Sequence, residues 1–142
     1  VVPLMEDGDT LAIAGDPEAP TFANTIAALE LAEGTLDRVS GVFYNLAGAD
    51  ATPAREALMR DLAPRLSAFA SEVTNDKALF ARIEQLWQNR DASDLDAEQL
   101  RVLTLYRRMF LRAGAALDGA AAARMTEVKS RLAILGTSFA QN

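Results

Sequence analysis

Arginines on one side of a predicted helix are the side chains whose type and spacing most directly suggest binding chemistry. Arg101, Arg108 and Arg112 are separated by seven and four residues, and Arg107 is adjacent to them. Guanidinium groups bind carboxylates through paired hydrogen bonds, so this row could hold a carboxylate or the C-terminus of a peptide. The alternative is a solvated helix face whose arginines pair with neighbouring acids, and the residues alone favour this second interpretation.

A group of acidic residues lies just before that helix, in the segment RDASDLDAEQL. It contains Asp91, Asp94, Asp96 and Glu98, whose carboxylates are the kind of ligand that hard cations prefer. A calcium-binding EF-hand loop requires acids at its positions 1, 3 and 5 and glycine at position 6, and this segment does not have that spacing. We therefore interpret it as a loop that caps the next helix and favours its positive end.

Histidine and cysteine are absent from the sequence. Ordinary zinc sites use imidazole or thiolate ligands, so this chain cannot build one alone, and Ser–His–Asp or Cys–His catalysis is equally excluded. A Ser–Lys pair that uses Lys129 is conceivable, but only two lysines are present and neither lies in a clearly buried pattern. The residues alone indicate a helical domain without visible catalytic machinery.

The overall composition is that of an acidic globular protein. The net charge of the 142 residues is −6, so phosphate backbones repel the surface and nucleic acid is not an expected partner. No apolar run approaches the roughly 18 residues that a membrane-spanning helix needs, and the first residues do not resemble a signal peptide. The expectation for the location is cytoplasmic, while a periplasmic or exported parent protein stays open.

The elements that position these side chains are predicted to be helices throughout. Apolar residues alternate at spacings of three and four along each long segment, whereas the period-two alternation of strands is missing. The sequence therefore predicts an all-α fold of about five amphipathic helices, mostly antiparallel because the connections are short. Residues 1–20, which include Pro17 and Pro20, are expected to form an irregular end and linker in which DTLAIAG could form one or two helical turns. Residues 21–142 are expected to form a helical domain.

Capping residues and apolar stripes define the expected helix ends and the expected core. Thr21 is predicted to cap the first long helix, Thr74 or Asn75 the third, and Asp96 the fourth, with Gln99 completing a capping box. The apolar stripes predict a core that includes Leu29, Leu36, Val39, Phe43, Leu66, Phe69, Leu103, Phe110, Leu132 and Leu135.

A set of sequence segments, in a fixed order, carries a resemblance to a known family. These segments are APTFANTIAALELA, LDRVSGVFYNLAGAD, LAPRLSAFASEV, ALFARIEQLW, LDAEQLRVL and RLAILGTSFAQN. Together they resemble the N-terminal helical region of zinc-dependent oligopeptidases of the thimet oligopeptidase family, most closely its bacterial peptidyl-dipeptidase branch. The resemblance extends over about residues 19–142.

The resemblance implies that the chain is a fragment of a larger helical metallopeptidase and that the parent continues beyond Asn142. Members of the family bind zinc through a downstream His-Glu-x-x-His helix and a further Glu, so no catalytic or metal-binding residue can be assigned here. The implied role is a non-catalytic wall of the channel that admits short peptides, in contact with the catalytic domain of the same chain. The alternative hypothesis is a free-standing helical domain that binds other proteins.

Overall fold

The computed structural model describes residues 7–32 and 34–140. Within these ranges every regular element is helical, which confirms the all-α prediction. The elements are α1 (Asp7–Ala14), a π-helical segment (Phe22–Ala27) that leads into α2 (Ala28–Ala32), α3 (Gly34–Ala49), α4 (Pro53–Asn75), α5 (Lys77–Gln88), a 3-10 turn (Arg90–Ala92), α6 (Ala97–Ala113) and α7 (Gly119–Ala140). Among these helices, none combines the length and the apolar character that a membrane crossing requires.

Residues 7–20 contain a short helix and the turn that follows it. The end and linker predicted for residues 1–20 contains α1 (Asp7–Ala14), where the segment DTLAIAG allowed one or two helical turns, while residues 1–6 lie outside the described residues. Thr10 and Ile13 of α1 are buried, and α1 packs against α2 and α5. Packing against neighbouring helices stabilises a short helix that could not persist alone in water.

Local capping contacts define several of the helix starts. The Thr21 hydroxyl accepts a hydrogen bond from the backbone N–H of Asn24, and Asp96 with Gln99 forms the predicted capping box at the start of α6. The predicted cap of the next helix at Thr74 or Asn75 is wrong, because both residues still belong to α4. Asp76 caps α5 instead, and its carboxylate accepts from the N–H of Leu79.

The hydrophobic core is formed where α5 and α6 pack against each other and against the π-helical segment. The side chains that are completely buried there include Ile26, Leu79, Ile83, Leu103 and Phe110. The rings of Phe80 and Phe110 stack with their centroids 6.2 Å apart and an interplanar angle of 13°. Aromatic pairs in this arrangement add to the stabilisation that burial alone provides.

The predicted core residues separate into three groups. The buried ones are Leu29, Leu103 and Phe110, the partly buried ones are Leu36, Phe43, Leu66 and Phe69, and the exposed ones are Val39, Leu132 and Leu135. The prediction is wrong for the last group, whose exposed fractions are 47%, 62% and 56%. Val39 lines an open cleft beside α4, and no described element covers Leu132 and Leu135 of α7. Leu36, Phe43 and Leu66 line an apolar cleft of about 150 Å³ between α3 and α4.

The end of α6 requires a glycine. Gly114 has a φ of 99°, and its N–H donates to the carbonyl of Leu111, which closes the helix. A methyl group on Gly114 would lie 3.3 Å from Cγ of Met125 in α7. The position therefore combines a left-handed backbone with a close contact to the next helix.

Replacing Gly114 by alanine should lower the free energy of unfolding by about 1–2 kcal/mol, since a residue with a side chain is strained in the left-handed region. The matched control is Gly41→Ala in α3, where a methyl group meets no atom within 4 Å and alanine favours the helix by up to about 1 kcal/mol. Chemical denaturation, followed by circular dichroism, measures the free energy of unfolding of both variants. Equal effects of the two substitutions would contradict the conformational requirement at Gly114.

Candidate functional site

The three predicted arginines lie together on the exposed side of α6. Arg101, Arg108 and Arg112 are all exposed, and this side is opposite the one that buries Leu103 and Phe110. None of the three makes an ion pair or a hydrogen bond with another residue in the described part of the chain. The solvated helix face of the second interpretation is therefore what the structure shows, without the pairing to neighbouring acids that it also expected.

The spacing of this arginine row limits what it can bind. At 1.5 Å of rise per residue, Arg101 and Arg108 are about 10 Å apart along the helix axis, and Arg108 and Arg112 about 6 Å. One carboxylate cannot contact all three guanidinium groups at that separation. The row instead presents a strip of positive charge, beside the exposed side chains of Leu105 and Met109 on the same helix.

Arg107, which is adjacent to the row in sequence, has a different role. Its Nε and one terminal nitrogen donate to the two carboxylate oxygens of Glu84 in α5, at 2.8 and 3.2 Å. Its guanidinium carbon also lies 5.0 Å from the ring centre of Trp87, and that of Arg90 lies 4.5 Å from the same ring. Such contacts between cations and aromatic rings are favourable, so this cluster joins α5 to α6 and does not offer a free binding group.

The acidic loop before α6 behaves as a capping loop. The carboxylate of Asp96 accepts from the N–H of Gln99, and Asp91 lies 3.4 Å from the guanidinium of Arg90. Across residues 7–32 and 34–140, no group of three or more Asp, Glu, His or Cys side chains is placed to hold a metal ion. The capping interpretation is confirmed for Asp96.

Arg82 is a charged residue that the sequence reasoning missed. Its side chain is 8% exposed, and it donates to the carbonyls of Asp16 and Glu18 at 2.7 and 3.0 Å and to the carboxylate of Asp16 at 3.2 Å. Its Nε has no hydrogen-bond partner among the described residues. Arg82 attaches the turn after α1 to the core. The position of Arg82 in α5 could not indicate these hydrogen bonds, because its partners are more than sixty residues away in sequence.

Both lysines of the chain, Lys77 at the start of α5 and Lys129 in α7, contact the connection between α6 and α7. Lys77 donates to the carbonyls of Ala115 and Leu117 and to the carboxylate of Asp118, at 2.8, 2.6 and 2.8 Å. Lys129 donates to the carbonyl of Ala113 at 2.6 Å. Positive charges at the C-terminal end of a helix interact favourably with its unpaired carbonyls, so both lysines stabilise this connection. No serine hydroxyl bonds to Lys129 in the described part of the chain, so the structure offers no support for a Ser–Lys nucleophile.

Comparison of the sequence with known proteins finds similarity to bacterial peptidases. No family model matches the chain. Over 130 residues the chain is 34% identical to a protein named dipeptidyl carboxypeptidase from Salmonella typhimurium and 33% identical to the protein of the same name from Escherichia coli. In both cases the match covers 92% of this chain and 19% of the relative, so the chain spans about a fifth of their length. The resemblance inferred from the sequence segments is thereby confirmed: over most of its length, this chain is similar to one part of bacterial dipeptidyl carboxypeptidases.

Proposed function

We propose that these residues are a non-catalytic part of a zinc-dependent peptidyl-dipeptidase and form one wall of the channel that admits short peptides. The observation that carries the proposal is the 33–34% identity, over 92% of the chain, to proteins named dipeptidyl carboxypeptidase. Because the chain spans 19% of those relatives, the activity, its peptide substrates and its zinc are assigned to a longer parent chain. A cytoplasmic location stays a prediction.

The residues present here do not fit a zinc site. The chain has neither imidazole nor thiolate ligands, and its described acidic residues are not gathered into a group that could hold a metal. In the proposed parent, the zinc ligands and the group that activates water therefore come from another part of the chain. No step of peptide hydrolysis is assigned to the residues described here.

Exposed apolar faces support a role as one layer of a larger helical structure. Val39, Val42 and Leu46 of α3 are 47–63% exposed, and Leu132 and Leu135 of α7 are 62% and 56% exposed. Large apolar side chains grouped on one face commonly mark a surface that another protein segment covers. In the proposed parent, that covering segment is the catalytic domain of the same chain.

The arginine row on α6 gives the proposed wall a specific task. Arg101, Arg108 and Arg112 are exposed and have no carboxylate partner among the described residues, whereas the chain as a whole carries a net charge of −6. A strip of unpaired positive charge attracts an approaching anion over distances longer than a hydrogen bond. We assign to this row the steering of the carboxylate end of a peptide toward the channel.

The proposal is tested by comparing the 142-residue chain with its complete reading frame. Each protein is incubated with a short peptide and excess zinc, and the products are identified by mass spectrometry. We expect the 142 residues to release nothing and the complete protein to release C-terminal dipeptides in a reaction that a chelator stops. In the complete protein, Arg108→Ala should raise KM several-fold with kcat unchanged, because steering acts before the chemical step.

Two outcomes would contradict the proposal. Chelator-sensitive release of dipeptides by the 142 residues alone would show that the catalytic groups are here after all. A complete reading frame without peptidase activity and without a downstream His-Glu-x-x-His helix would favour the alternative, a free-standing helical domain that binds other proteins. The matched control for the arginine is Arg124→Ala in α7, which removes an exposed guanidinium that is already paired with Glu127 and should leave KM within twofold.

A further inference from the structure

A cavity of about 460 Å³ that is open to solvent, and whose polar lining side chains are exposed, lies between the C-terminal part of α4, the α6–α7 connection and the first half of α7. Its volume falls in the range of small-molecule sites, about 300–1,000 Å³. The polar side chains that line it are Ser71, Asn75, Lys77, Thr126 and Lys129, and apolar ones include Leu117 and Met125. The cavity therefore offers hydrogen-bonding groups and an apolar wall in one place.

The charge of this cavity is opposite to that of the whole chain. Both lysines of the sequence line it, and none of the lining residues is an aspartate or a glutamate. Lys77 is neutralised by Asp118, whose carboxylate lies 2.8 Å from its ammonium nitrogen. Lys129 has no carboxylate partner in the described part of the chain, so the cavity keeps one unbalanced positive charge within a chain of net charge −6.

Several hydrogen-bond donors in the cavity are not used by the fold. An ammonium group has three N–H donors, and Lys129 uses one of them, on the carbonyl of Ala113 at 2.6 Å. The hydroxyl of Ser71 and the side-chain amide of Asn75 make no hydrogen bond with another described residue, and they lie one turn apart on α4. Lys77, by contrast, is held in place by three acceptors and supplies no further donor.

We propose that this cavity binds a small carboxylate that carries a short apolar chain. The two unused N–H groups of Lys129, the hydroxyl of Ser71 and the amide of Asn75 donate to the carboxylate oxygens, since charge-assisted hydrogen bonds of this type are strong. The apolar chain packs against Leu117 and Met125. A phosphate fits less well, because one unbalanced ammonium does not match its charge at neutral pH and the apolar wall would stay unused. This site does not depend on the proposed peptidase role.

The binding test is a nuclear magnetic resonance titration of the isotope-labelled 142-residue chain with sodium butyrate. We expect saturable shifts confined to the amides of residues 71–77, 113–117 and 125–129, with a dissociation constant of about 1 mM, as is usual for a ligand of this size. Inorganic phosphate and butylammonium chloride, at the same ionic strength, should bind at least tenfold more weakly. Absence of saturable shifts, or equally tight binding of phosphate or butylammonium, would overturn the proposal.

A further titration with acetyl-alanine, which presents a peptide-like terminus, shows which kind of carboxylate the site binds. Tighter binding of acetyl-alanine than of butyrate identifies a peptide C-terminus as the natural ligand, and the reverse identifies a free aliphatic acid. Both results support a carboxylate site, because each ligand places its carboxylate against the same donors.

Substitutions locate the binding group. Lys129→Met, which keeps the length of the side chain, should weaken butyrate binding at least tenfold, whereas Arg131→Met, which removes an exposed charge outside the cavity, should change it less than twofold. The double variant Ser71→Ala, Asn75→Ala leaves the Lys129 contact to Ala113 intact, and it should also weaken binding at least fivefold. Unchanged affinity in either the lysine variant or the double variant, with the helical circular dichroism spectrum retained, would contradict the proposal.

Discussion

Replacing Phe110 by alanine should lower the free energy of unfolding by about 3–5 kcal/mol, the usual range for an emptied aromatic core site. Phe110 is completely buried in α6, and its ring stacks on that of Phe80 in α5. The substitution removes the buried ring and leaves a cavity that the surrounding helices can fill only in part. Urea denaturation of the two proteins measures the difference in the free energy of unfolding, provided that this free energy depends equally on urea concentration in both.

Phe43→Ala serves as the control for this prediction. Phe43 is partly buried in the α3–α4 cleft, so the same substitution should cost about 1–2 kcal/mol, within the range of ordinary mutations. A loss at Phe43 as large as that at Phe110 would show that α3 and α4 contribute as much to the core as α5 and α6. That result would contradict the division of the core described above.

Replacing Arg82 by methionine should destabilise the protein by about 3 kcal/mol, although the substitution keeps an apolar side chain of similar length. Arg82 is 8% exposed, and it donates to two carbonyls and to the carboxylate of Asp16. Removing one partner of a largely buried ion pair leaves the other charge and the acceptors unpaired, which costs about 3–5 kcal/mol in general. Thermal and chemical denaturation measure the loss.

Arg124→Met is the matched control, because Arg124 and Glu127 form a pair that is 67% and 61% exposed. Exposed pairs contribute about 0–1 kcal/mol, so this variant should unfold nearly as the unmodified protein does. An Arg82 variant that is no less stable than the Arg124 variant would show that the turn after α1 is held by other contacts.

Helix ends could be predicted from the sequence where the contacts are local. Asp96 and Gln99 are three residues apart, and the hydrogen bonds they exchange depend only on the backbone between them. The start of α5 was misplaced by one or two residues because Thr74, Asn75 and Asp76 are all capable of capping. Asp76 takes that role because α4 continues through Asn75.

The choice of which apolar stripe is buried could not be predicted from periodicity alone. Leu132 and Leu135 repeat at helical spacing as regularly as Leu103 and Phe110, yet the first pair is exposed and the second is completely buried. A stripe predicts a helix that can bury one face, whereas burial requires a partner element at that face. That partner is a matter of tertiary arrangement, which the spacing of residues in one helix does not encode.

The candidate site was predicted only as far as its location on one helix face. The spacing of Arg101, Arg108 and Arg112 correctly placed them together on α6, but it did not distinguish them from Arg107, which is bound to Glu84. The contacts of Lys77 connect residues 38–41 positions apart, so no local pattern could have indicated them. Contacts between segments that are distant in the sequence are therefore the part of the site that could not be predicted.

Trp87 gives the chain an intrinsic optical reporter at a single position. It is the sole tryptophan of the sequence, it packs against the core in α5, and Arg107 of α6 lies against its ring. The tryptophan fluorescence of the whole chain therefore originates at the contact between α5 and α6. Loosening of α3 or α7 would leave the emission wavelength unchanged, whereas separation of α5 from α6 would expose the indole to water and shift the emission to the red.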